Sequence, residues 1–101
     1  LIENITKEMF RESLNTKFRL CAETSEPIEL ELAELTESIS TPKHEQFALL
    51  FRGPQNPFLP QMTYHLEHEK LGELDLFLVP VGRDQNGFQY EAVFNRFLKG
   101  D

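Results

Sequence analysis

The stretch TYHLEHEKLGELDLFLVPV (residues 63–81) decides the fold. Tyr64, Leu66 and His68 fall on one side of an alternating run, the period-2 pattern of a half-buried strand. Lys70 and Gly72 mark a short turn, and Leu74 to Val81 form a second apolar run. Together they read as an antiparallel hairpin. Pro80 has no amide hydrogen to give to a ladder, so its strand lies at an edge, breaks its pairing or bulges there.

Towards the C-terminus, Asp84, Gln85, Asn86 and Gly87 form a turn signal. Phe88, Tyr90, Ala92 and Phe94 then alternate as a further strand. Towards the N-terminus, Pro54, Pro57 and Pro60 punctuate a connection that is neither helix nor central strand. It is preceded by a strand from Phe47 to Phe51 that ends at Gly53-Pro54, and before that residues 38–44 read as a loop. Ile28, Leu30 and Leu32 alternate with Glu29 and Glu31 after a turn at Thr24 to Pro27. Leu35 lies an odd number of residues beyond Leu32, so a bulge near Ala33 and Glu34 is needed to bring it inward. Phe18, Leu20 and Ala22 alternate with Lys17, Arg19 and Cys21 as the first strand. The opening residues read as a helix over about 6–14 by its capping residue Thr6, with Ile5, Met9 and Phe10 on one face.

The sum is a mainly β fold: about six antiparallel strands forming a small barrel or sandwich, with one short N-terminal helix at one end. One domain spans 1–101, its helix about 6–14 and its β portion about 17–97. The aromatic set Phe47, Phe51, Tyr64, Phe77, Phe88, Tyr90 and Phe94 is expected to fill the interior rather than line a ligand cavity.

Composition narrows the function. Seventeen acids against ten bases give a formal charge of -7, which opposes a nucleic-acid partner. The excess is localised, because residues 23–45 hold Glu23, Glu26, Glu29, Glu31, Glu34, Glu37 and Glu45 against Lys43 alone. No apolar run approaches the ~20 residues of a membrane span. Glu3, Lys7 and Glu8 interrupt any signal-like stretch at Leu1, a residue that itself suggests trimming. With Cys21 as the only cysteine, no internal disulfide forms, and a cytoplasmic location is the expectation.

Candidate chemistry is sparse. His65 and His68 lie three apart on a strand and face opposite sides, while His44 is placed in the loop, so no metal site is expected. His68 is better read as a hydrogen-bonded histidine at a hairpin end. Cys21 and the serines lack any nucleophile motif, and no glycine pattern suits a phosphate or a cofactor. Two segments remain. Glu29, Glu31 and Glu34 form an acidic strand face, which either keeps that face wet or docks a partner. The loop RGPQNPFLPQ holds Arg52, Phe58, Leu59 and Gln61 in restricted backbone, where Phe58 and Leu59 either cap the sheet or are presented for binding.

The segments FALLFRGPQNPFLPQMTYHLEH, LGELDLFLVPVG and YEAVFNRFL resemble a family of short bacterial proteins known only as a domain of unknown function. The resemblance covers nearly the whole chain, with Met62 standing where that pattern has glycine. It implies no activity, cofactor or site residue. It implies a setting beside phage-tail-like or surface-assembly components. The reading is therefore a non-enzymatic protein-interaction or assembly module whose partner is another protein, with a homo-oligomer possible. The alternative is a small-molecule or glycan binder with weak hydrolase activity, using carboxylates with Tyr64 or Tyr90 at a barrel mouth.

Overall fold

The computed structural model describes residues 2–20 and 27–98, so Cys21, Ala22, Glu23 and Glu26 lie outside the described residues. A 3-10 turn at Ile2–Asn4 precedes helix α1 (Lys7–Glu12), followed by strands β1 (Lys17–Leu20), β2 (Ile28–Ser40), β3 (His44–Arg52), β4 (Met62–His68), β5 (Gly72–Asp84) and β6 (Gly87–Phe97). All six pair antiparallel in one sheet, in the order β1-β2-β3-β6-β5-β4, and β1 pairs β4 to close a ring. The sandwich alternative is set aside by that closure. The ring falls short of a regular barrel, because the β5–β6 ladder runs only from Val79↔Glu91 to Asp84↔Gly87. Beyond it, residues 72–78 pair with β4 and residues 92–97 pair with β3.

The alternation read in the sequence sets the core. Phe18, Leu30, Leu32, Leu49, Phe51, Leu66, Leu78 and Tyr90 are fully buried inside the ring. Each large apolar side chain removed from water contributes roughly 1.5–3 kcal/mol, before the opposing entropy of ordering the chain. Leu74, Leu76 and Leu78 take the inward phase of β5, which turns Phe77 outward and leaves it 52% exposed. Its expected place in the interior is thus corrected, because strand phase outranks aromatic character.

Register slips place the rest. Leu32 pairs with Phe51 and Glu34 with Leu50, so Ala33 is the extra residue of the expected bulge. Pro80 pairs with Tyr90 and Gly82 with Gln89, so Val81 bulges beside Pro80, where β5 keeps β6 on one side but has passed the last β4 pair, Met62↔Leu78, on the other. A further slip between Glu37 and Ile39 carries β2 on to Ser40. The expected loop over 38–44 therefore shrinks to Thr41, Pro42 and Lys43, and His44 belongs to β3. Thr41 holds that tight turn through its hydroxyl, which accepts from the amides of Lys43 and His44.

Helix α1 is shorter than the sequence suggested. Thr6 caps it by accepting from the Met9 amide at 3.1 Å. The helix stops at Glu12, and Asn15 takes a left-handed conformation with φ 67. The Asn15 amide then donates to the Leu32 carbonyl at 2.7 Å, which delivers the chain into β1. Phe10 is buried against Phe47 and Phe94. Arg96 secures the same end by donating to the carbonyls of Ile5 (2.7 Å) and Ile2 (3.1 Å), with its guanidinium 4.9 Å from the Phe94 ring centre.

Part of the acidic segment is consumed here. Glu37 pairs with Lys7 and Arg11, which hold its carboxyl below the ordinary range, the Lys7 hydrogen bond most of all. Glu45 is buried 3.7 Å from Arg96 and 4.0 Å from Lys7. These two glutamates fasten the helix to the sheet rather than facing a partner.

Candidate interaction cleft

The proline-rich loop, residues 53–61, is tied down along its length. The Gly53 amide donates to the Phe88 carbonyl at 2.8 Å, and the Gln55 side chain donates to the Gln85 carbonyl. The Leu59 amide donates to the buried Tyr90 hydroxyl at 3.0 Å, and the Tyr64 hydroxyl donates to the Pro60 carbonyl. The Asn56-Pro57 peptide bond is cis. Gly87 permits the closest approach: a Cβ there would stand 2.0 Å from the Gly53 carbonyl oxygen. The loop therefore rests directly on the start of β6.

A cleft of about 820 Å³ opens between this loop and the outer face of the ring. Glu29 and Glu31 of β2, Lys17 of β1 and Arg52 of β3 line it, facing Pro54, Asn56 and Pro57 of the loop and Asn86 of the β5–β6 turn. Register explains the charges: Glu31 stands opposite Lys17 on one side and Arg52 on the other. None of these three closes an ion pair with another described residue. Two carboxylates and two cations thus sit at one concave surface with hydrogen-bonding capacity to spare.

Of the residues singled out from the sequence, the structure gathers Glu29, Glu31 and Arg52 into this cleft and separates the others. Glu34 lies past the Ala33 bulge, opposite Leu50, and does not line it. Leu59 is buried, its amide spent on Tyr90, so it caps the sheet and presents nothing. Phe58 is 51% exposed but packs edge-on against Phe88, whose ring also carries the Arg83 guanidinium at 5.3 Å. Gln61 is exposed, next to the start of β4. Sequence reasoning missed Lys17, which the β1–β2 hairpin register would have offered. It also missed Asn86, which reaches the loop only through a tertiary contact that leaves no local signal.

The histidines do other work. His65 is exposed and bridges Asp75 (2.7 Å from Nδ1) and Glu73 (3.0 Å from Nε2), which raise its pKa, Glu73 foremost. His44 stacks on Phe97 with ring centres 4.7 Å apart and shares a hydrogen bond with Asn95. Among the described residues no three metal-ligating side chains are gathered.

His68 is buried, and its Nδ1 accepts from the amides of Lys70 and Leu71, both at 3.1 Å. Two donors aimed at Nδ1 leave the proton on Nε2, which donates to the Thr16 hydroxyl at 2.7 Å. That tautomer cannot take a proton from Thr16, so the pair is structural. Burial lowers the His68 pKa from its ordinary 6.5. The unfolded chain then binds a proton more readily, and the stability that neutral His68 contributes is complete above pH 6.5 and lost as pH falls below it. His65 has the opposite sign, since its raised pKa adds stability at low pH that fades as pH rises. In a His65→Gln variant, urea unfolding is expected to show stability falling from pH 7.5 to pH 5.5, a slope that a further His68→Gln change removes. A flat profile in the first variant would refute this assignment.

Fold and cleft together define a small all-antiparallel closed β-sheet domain with a capped helix at one end and a loop-walled cleft at the other. The chain belongs to the family Domain of unknown function (DUF6916), whose family model matches residues 5–94. No curated protein and no solved structure matches it.

Proposed function

We propose that this domain is a non-enzymatic interaction module that receives a segment of another protein in the cleft between the proline-rich loop and β2, within an assembly of the kind the family resemblance implies. One observation supports this above the rest: two segments far apart in the chain, the Glu29–Glu31 face and the Arg52–Pro57 loop, line the same concavity. The loop is held by hydrogen bonds to β6 and the β5–β6 turn, so little ordering entropy remains to oppose binding. The charges suit a segment that carries a basic group for Glu29 and Glu31 and an acidic one for Arg52.

The reading as a small-molecule or glycan site uses the same cleft but loses its aromatic residues. Tyr64 and Tyr90 spend their hydroxyls on Pro60 and Leu59, and neither lines the cleft. Affinity capture from the native cell is the test. The wild-type domain is expected to retain a protein that the double variant Glu31→Lys with Arg52→Glu loses by at least about tenfold, a change of about 1.4 kcal/mol. Equal recovery by both would sink the proposal.

A further inference from the structure

We infer that β6 carries a second interaction surface, distinct from the cleft, through which two copies of this chain pair edge to edge. The edge arises where the ring is irregular. The amide of Leu98 donates to the Lys43 carbonyl, and the Phe88 carbonyl accepts from the Gly53 amide, so the even-numbered residues of β6 turn their backbone groups towards β3. In an antiparallel ladder the alternate residues point the other way. On that side β5 serves β6 only as far as Val79↔Glu91. The N–H and C=O groups of Val93, Asn95 and Phe97 therefore have no backbone partner among the described residues.

Such an edge is a template for another strand, and natural sheets usually blunt it with charge, proline or cover. Here none of these is applied. Val93 is 60% and Phe97 79% exposed, and Asn95 between them is uncharged. The adjoining outward positions of β3, His44, Gln46, Ala48 and Leu50, carry no carboxylate, ammonium or guanidinium either. In a chain that is 27% charged, with a net charge of -7, this is a neutral strip across two strands.

That neutrality selects the occupant. Two copies meeting about a two-fold axis at Asn95 pair antiparallel and bring Val93 of each opposite Phe97 of the other, with no like charges face to face. The exposed flank of β5 does not suit self-pairing, since Glu73 and Asp75 would meet their own copies there. The product is a continuous six-stranded sheet, β2-β3-β6 of one copy followed by β6-β3-β2 of the second.

Sedimentation equilibrium on the full chain tests this. The wild type is expected to rise with concentration from 11.8 kDa to twice that mass. Val93→Pro removes an amide that points to the open edge and no ladder bond to β3, and Phe97→Glu sets a carboxylate against the partner's strand. Both are expected to remain at 11.8 kDa while keeping the wild-type thermal melt and circular dichroism. A wild type that stays at 11.8 kDa up to about 1 mM, a concentration at which only about 4 kcal/mol of association is needed, overturns the inference. So does a dimer that both folded variants retain. Failure here leaves the cleft proposal untouched, because its variants lie at the opposite end of β3.

Discussion

Gly87→Ala is expected to destabilise the domain by about 3–5 kcal/mol, a large part of the 5–15 kcal/mol that holds an ordinary domain together. Two causes add. Gly87 has φ 137, a conformation that side chains bearing a Cβ adopt only at a cost of about 1–3 kcal/mol. The new methyl would also stand 2.0 Å from the Gly53 carbonyl oxygen and 3.0 Å from the Pro54 carbonyl carbon. These are backbone atoms, so no rotamer change relieves the overlap. Either the proline-rich loop lifts from β6 or the β5–β6 turn opens. Gly72→Ala separates the two causes, since Gly72 has φ 79 and, its chain neighbours apart, no atom of the described residues lies within 4 Å of the added carbon. Its expected cost is only about 1 kcal/mol. Urea unfolding of both variants is the measurement, and equal losses would show that the close approach to Gly53 has no energetic weight.

Phe10→Ala is expected to cost about 3–5 kcal/mol, the range for emptying a fully buried aromatic site. Phe10 has no exposed surface, and its ring lies 5.3 Å from that of Phe94 and 6.2 Å from that of Phe47. Its importance exceeds its size because α1 has only six residues. A helix so short has no stability of its own in water and exists through packing. Losing Phe10 leaves the helix held by the partly exposed pairs of Lys7 and Arg11 with Glu37 and by the longer Lys7–Glu45 contact, and ion pairs within reach of solvent replace little of a buried ring. Besides the shift in urea midpoint, the Asn15 amide, which bonds to Leu32, should exchange with solvent markedly faster. A loss below about 1.5 kcal/mol would mean that the site collapses and the helix is docked by other contacts.

Strand phase was the most legible property of the sequence. Alternation placed Leu30, Leu66 and Tyr90 inside correctly, and the odd spacing from Leu32 to Leu35 located the Ala33 bulge. Closure of the ring was not legible, because it depends on Phe18 meeting His68, a pairing between segments with no local signature for each other. Length was misread where tertiary contacts extend elements beyond their own propensity. β2 and β3 continue through polar residues to Ser40 and His44 because β6 and the helix stabilise that end. The candidate surface was half legible. Outward phase correctly placed Glu29 and Glu31 off the core side, with Glu29 exposed and Glu31 half-buried, but only the folded register shows Glu31 between Lys17 and Arg52. Leu59 was left between two places for a physical reason: an apolar residue in a stiff loop looks the same in sequence whether it is presented or buried with its amide on a tyrosine hydroxyl.

The nine residues of β3 run unbroken from His44, beside the neutral edge, to Arg52, in the cleft. From Gln46, opposite Asn95, to Arg52 is six steps, or about 20 Å at the rise of an extended strand. In the two-fold pair the clefts would therefore open at opposite ends of one rigid sheet, about 40 Å apart. The paired form is then a divalent ruler. A single docking segment gains nothing from it, but a filament or lattice that repeats that segment at a matching interval would be held by avidity, its second contact made at a high effective concentration.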